Sequence, residues 1–171
     1  ACIATEMQTG REHIFRSGDL PTAIRASMAF PGVFAPVLLD SMVLLDGGMR
    51  NNYPADVARA MGADIVIGVS VQEKLQTGDD LSNMSDLLMR VMSFMSQDKL
   101  EENIGLTDVF IHVDTHPYTT MSFSREAVDS LLIIGENTAR QHFDALQALR
   151  TKIGLNPEER VTPPAPYTSY A

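Results

Sequence analysis

Val43-Leu44-Leu45-Asp46-Gly47-Gly48-Met49-Arg50-Asn51-Asn52-Tyr53-Pro54 is the stretch on which the reading of this 171-residue chain turns. An apolar run delivers one carboxylate, Asp46, to a glycine pair. That pattern reads as a strand ending on a sharp turn, because glycine reaches positive φ without steric cost. A carboxylate at a strand end beside a glycine turn is where α/β proteins place chemistry. Asp-Gly between apolar runs is also an ordinary turn in which the carboxylate bonds its own backbone, and on the dipeptide alone the ordinary turn is the commoner reading.

Upstream of this stretch, Asp40-Ser41 separates two apolar runs, 33–39 and 42–45, which read as a hairpin whose second arm ends at Asp46. Asp40 and Asp46 then sit at opposite ends of a strand, too far apart to share a proton. Before the hairpin, Asp19 and Pro21 open a helix with Ala23, Ile24, Ala26 and Met28 along one face, and Pro31-Gly32 closes it. Residues 2–4 and 13–15 are two short strands around a turn at Gly10-Arg11. Downstream, 55–61 is a short alanine-rich helix closed by Gly62. Residues 64–71, β-branched and apolar on both faces, belong in the middle of a parallel sheet covered by helices.

A polar loop at 76–80 precedes a helix at 81–104, with Leu81, Met84, Leu88, Val91, Met92 and Met95 on its inner face. Its methionines are core filler. Residues 109–113 form a further parallel strand. Ser124 caps one long helix, with Val128, Leu131, Leu132, Gly135, Ala139, Phe143, Leu146 and Leu149 turned inward. The alternation of strands and helices gives an α/β fold, a three-layer sandwich on a mainly parallel sheet. Residues 1–155 form the domain and 156–171, rich in proline, a tail or linker.

The composition excludes several classes. A net charge of −9 with no basic run argues against nucleic acid. A single cysteine, Cys2, allows neither an internal disulfide nor a thiolate cluster. It lies near no basic residue or helix start and reads as inert. No apolar run approaches the roughly 20 residues that span a bilayer. The four histidines share no metal-ligand spacing. Neither a metal nor a cofactor is expected. Nucleophilic acyl transfer calls for a serine on a strand-to-helix elbow, and Gly68-Val69-Ser70-Val71-Gln72 lacks the second glycine and runs along a strand. Ser70 therefore reads as structural. No glycine-rich phosphate or oxyanion loop is present.

Together, Ala26-Ser27-Met28-Ala29-Phe30-Pro31-Gly32-Val33-Phe34, then Leu45-Asp46-Gly47-Gly48, then Asn51-Asn52-Tyr53-Pro54-Ala55-Asp56, then Gly62-Ala63-Asp64-Ile65-Val66-Ile67 resemble the second half of bacterial patatin-like phospholipases. The pieces occur in the family's order and spacing. The resemblance implies an incomplete patatin-like domain and a Ser-Asp dyad that hydrolyses ester-linked lipids. Asp46 takes the aspartate's role. The family's serine elbow and oxyanion loop lie upstream of the matching region, in a missing N-terminal half. Asn51, Asn52 and Pro54 are expected to hold the Gly47-Gly48 turn in shape, and Met28, Phe30 and Phe34 to line an acyl groove, although plain core packing explains the same residues. Exposed apolar surface where the missing half belongs implies self-association, and peripheral membrane contact fits a lipid substrate. The compartment, cytoplasm or envelope, is open. The competing expectation is a non-catalytic interaction or scaffolding module.

Overall fold

The computed structural model describes residues 1–72, 84–119 and 122–155. The loop expected at 76–80, the residues Leu81 and Met84 assigned to an inner face, and the tail at 156–171 lie outside the described residues and side chains. Two sheets with helices between and around them make a mixed α/β architecture.

The first sheet has the order β2-β1-β4-β3, with β1 at Cys2–Glu6, β2 at Arg11–Phe15, β3 at Val37–Leu39 and β4 at Met42–Asp46. Every pairing in it is antiparallel. The mainly parallel arrangement expected from sequence is therefore confined to the second sheet. The local reason for two of the three pairings, β1 with β2 and β3 with β4, is a tight turn, which can only join antiparallel neighbours. The Asp40-Ser41 turn is a two-residue hairpin with φ of 47° and 71°, both left-handed, which is how short turns match the twist of their strands. Helix α1 (Leu20–Ser27) is capped by Asp19, whose Oδ2 accepts from Thr22 N at 2.9 Å. It lies on the sheet through Ala23 and Ala26. Ala4, Ala26 and Leu44 are fully buried there, ringed by Phe15, Val37, Leu39 and Met42.

Strand β5 (Ile67–Ser70) pairs in parallel with β6 (Val109–His112), Ile67 opposite Val109 and Ser70 opposite His112. One face of this pair carries Val109, Ile111 and Val113 and packs on Leu146 and Leu149 with Ile65 and Ile134. The other carries Val66 and Phe110 and packs on Tyr53, Ala55, Leu100 and Ile104. Helices α2 (Ala55–Ala60) and α3 (Met84–Ile104) thus cover one side, and α4 (Arg125–Gln141) and α5 (Phe143–Lys152) the other. This is the layered core expected. Arg59 seals the entry to it, donating to the carbonyls of Ala63 (3.0 Å), Asp64 (2.7 Å) and Leu106 (3.0 Å) and pairing with Asp108 at 2.7 Å.

Four expectations change in detail. Among the described residues β5 pairs with β6 alone, and on the face where α4 and α5 cover Val109 and Ile111 its own Ile67 and Val69, with Val71 just beyond, remain 51%, 56% and 62% exposed. The long C-terminal helix breaks at His142, whose Nδ1 lies 2.9 Å from the Thr138 carbonyl. The inward stripe of α4 is buried Ala127 with half-buried Leu131, Ile134 and Thr138; of the expected set Leu131 and Gly135 are half-buried, and Val128, Leu132, Ala139 and Phe143 are exposed. In α3, Met92 is buried but Val91 and Met95 face out, and the inner face continues through polar Ser96 and Asn103. No helix among the described residues is long and apolar enough to cross a membrane.

Candidate active site

Asp46 is the last residue of β4 and the N-cap of a single 3₁₀ turn, Gly47–Met49. Its Oδ1 accepts from Gly48 N at 2.7 Å. Its backbone is pinned on both sides, N–H to the Ala29 carbonyl at 3.1 Å and C=O to the Thr5 hydroxyl at 2.9 Å. Burial pushes the carboxyl above the ordinary aspartate value, and the Gly48 N–H only partly offsets it. Among the described residues Asp46 has no ion-pair partner. A half-buried carboxylate without a cation is poised to take a proton.

The glycines are required for a reason other than the one expected. Neither Gly47 nor Gly48 has positive φ. What matters is close approach: a Cβ on Gly47 would lie 2.2 Å from the Ile3 carbonyl oxygen, and one on Gly48 2.9 Å from Asn52 Oδ1 and 3.0 Å from Asp46 Oδ1. The corner is pressed flat against central strand β1. At Gly47 nothing larger than hydrogen fits.

Asn51 is buried, and its backbone N–H closes the turn onto the Gly47 carbonyl at 2.9 Å. Asn52 is exposed with its amide oxygen over Gly48, and Pro54 is exposed at the start of α2. The Ala29-to-Asp46 backbone bond places Met28 and Phe30 beside the acid in the chain's path. Met28 is exposed and lines an apolar cleft of about 300 Å³ with Leu20, Pro21, Ile24 and Arg25. Phe30 and Phe34 do not line that cleft. Phe34 instead lies under the Arg25 guanidinium, 5.2 Å from its ring centre. Ser70 is buried in β5, its hydroxyl oxygen accepting from Gln72 N at 3.3 Å, in keeping with a structural role. His13 packs edge-on against Phe15 and His112 stacks on Phe110.

Sequence reading missed the support beneath the corner. Asn103 of α3, Lys99 one turn before it, Glu12 of β2 and Asp56 of α2 converge on Asn51. Burial acts to raise the Asp56 carboxyl, but hydrogen bonds from Asn51 and Lys99 and the Lys99 charge outweigh it and hold it low. Burial likewise acts to lower Lys99, and bonds to Glu12 and Asp56 raise it overall. The available signal was Ser96 and Asn103 interrupting an otherwise apolar helix face at helical spacing.

Residues 3–59 match the patatin-like phospholipase family model. This patatin-like segment runs from β1 into α2 and contains Asp46, Gly47, Gly48, Asn51 and the Phe30 turn. The chain is 42% identical over 100 residues to a patatin-like phospholipase domain-containing protein of Caenorhabditis elegans, 54% of this chain and 7% of that protein. It is 40% identical over 88 residues to patatin-like phospholipase domain-containing protein 7 of Mus musculus, 50% of this chain and 6% of that protein. An uncharacterized NTE family protein of Mycobacterium bovis is 41% identical over 69 residues, 40% of this chain and 19% of the relative. The chain thus spans a small part of the curated relatives it matches. They are animal and mycobacterial, so the patatin-like resemblance is not confined to bacteria.

Proposed function

We propose that this chain is part of a serine acyl hydrolase acting on ester-linked lipids, with Asp46 as the base of a Ser-Asp dyad. The serine and the oxyanion donors come from outside this chain, which carries no Gly-x-Ser-x-Gly. The observation that carries the reading is the Asp46 carboxylate itself. It is half-buried at a strand end, unpaired with any cation among the described residues, and engaged at Oδ1 alone.

In that chemistry Oδ1 stays bonded to Gly48 N while Oδ2 accepts the serine proton as the hydroxyl oxygen attacks the ester carbonyl. The tetrahedral adduct collapses, the alcohol leaves with the proton from Asp46, and water repeats the sequence on the acyl-enzyme. A carboxylate is a weak base for a hydroxyl. Partial desolvation of Asp46 raises its basicity, and the rest of the barrier falls to oxyanion donors. Met28 and its apolar cleft lie on the same segment that bonds Asp46, which suits an acyl chain.

The test compares this chain with a longer protein that adds the serine-bearing segment, on a short-chain p-nitrophenyl ester. The longer protein is expected to turn over and the chain alone to be inert. Turnover by the chain alone that Ser70→Ala abolishes would overturn the reading.

A second reading, a non-catalytic interaction module, is favoured by the edge of β5, where Ile67, Val69 and Val71 present an uncovered apolar stripe. The chain alone is expected to self-associate through it, and Val69→Lys to restore a monomer. Light scattering that finds a clean monomer without the substitution would count against an adhesive β5 edge.

A further inference from the structure

We propose that Asn103, assisted by Lys99, is a positioning residue for the Asp46 corner, acting across the packing of α3 on the 3₁₀ turn; the inference rests on the acyl-hydrolase reading. Asn103 is 1% exposed, one of the two largest fully buried side chains among the described residues, and it is polar. Its Nδ2 faces three acceptors, Asn51 Oδ1 at 3.0 Å, the Tyr53 carbonyl at 2.7 Å and Asp56 Oδ1 at 3.1 Å. Its Oδ1 accepts from Asp56 N at 3.2 Å. One amide thereby ties down the residue that closes the Asp46 turn, the exit of that turn and the first turn of α2.

Asn51 passes the constraint on. Its backbone N–H holds the Gly47 carbonyl, and its Nδ2 reaches Glu12 Oε2 at 3.2 Å and Asp56 Oδ1 at 3.0 Å. Two carboxylates on β2 and α2 then converge on one amide, and Lys99 bridges them, one positive charge between two negative ones. Its Nζ bonds Glu12 and lies 3.1 Å from Asp56 Oδ2. An apolar residue at 103 would leave Asp56 N, Asn51 Oδ1 and the Tyr53 carbonyl without this partner, at a desolvation cost. A fully paired polar cluster instead admits one arrangement of its donors and acceptors, and so fixes the corner to one geometry. A base displaced by about 1 Å loses of the order of 100-fold in rate, so fixing it has a catalytic consequence.

The experiment measures kcat and KM on a p-nitrophenyl ester for the serine-containing protein carrying Asn103→Ala, in the natural and the Asp46→Asn backgrounds. Asn103→Ala is expected to lower kcat about 10- to 100-fold with KM unchanged. The loss should vanish when Asp46 is already Asn, because a group that acts through the carboxylate has nothing left to place. Lys99→Gln, at the more exposed rim, should lower kcat in the same direction by less and gives the same comparison should Asn103→Ala not fold. An equal further loss in the Asp46→Asn background, or unchanged kcat in a folded variant, would overturn the positioning role. If Asp46→Asn keeps full turnover, it is the hydrolase reading that fails.

Discussion

Asp46→Asn in the serine-containing protein is expected to lower kcat about 10⁴-fold, the scale seen when the acidic member of a serine site is neutralised. The amide cannot take the serine proton. It can still accept from Gly48 N through Oδ1, so the corner keeps its shape and circular dichroism should be unchanged. Stability gives an independent sign. Because burial raises the carboxyl above its ordinary value of 3.8, the ionised form is the one the fold disfavours. At neutral pH the Asn variant should therefore melt no lower than the natural protein. The natural protein should gain on it as pH falls through the raised value, and below both values the difference should close. Activity follows the opposite course, since only the ionised base accepts a proton. The acid limb of kcat/KM is expected to fall above pH 3.8, and Asp46→Asn should remove it. Full turnover in the variant would leave Asp46 a turn residue and no more.

Gly47→Ala is expected to destabilise the chain by about 3 kcal/mol or more, the upper end of overpacking costs. The added methyl would meet the Ile3 carbonyl oxygen at 2.2 Å and its carbon at 2.6 Å, both backbone atoms. Strand β1 cannot recede, being hydrogen-bonded to β2 on one side and β4 on the other. The corner must therefore lift away, carrying Asp46 with it and breaking the bond from Asp46 N to the Ala29 carbonyl. Gly135→Ala is the matched control: its methyl meets nothing within 4 Å and lies within α4, where alanine is the better helix former. Denaturant midpoints on both variants settle the point. An unshifted midpoint for Gly47→Ala would mean that the sheet and corner part easily.

The sequence reading and the structure agree where the signal is local. Asp19 and Ser124 cap the helices that follow them, Asp40-Ser41 turns the hairpin, and Asp46 ends its strand, all within four residues of the group that decides the matter. They part where the partner is distant. Residues 64–71 look fully buried because they are apolar on both sides, yet burial depends on what packs on each face, and among the described residues the α4 and α5 side is covered over β6 but left open over Ile67 and Val69. On α4 the apolar Leu131 and Leu132 both read as inward, yet Leu132 is exposed and it is Ile134 that packs against the Val109, Ile111, Val113 and Leu149 cluster.

By itself the sequence determined that an acid stands on a glycine corner inside a mixed α/β chain, because caps, turns and apolar periodicity act over a few bonds. The patatin-like motif order likewise belongs to linear spacing. Only the tertiary structure decided why those glycines are needed: Gly47 faces the Ile3 carbonyl, 44 positions away in the chain, and its φ is ordinary. It also decided what holds the corner, since Asn103 and Asn51 are 52 residues apart and meet only when α3 packs down. A single polar residue on a helix face announces that something must pair with it. Which group does so is set by the three-dimensional path of the chain.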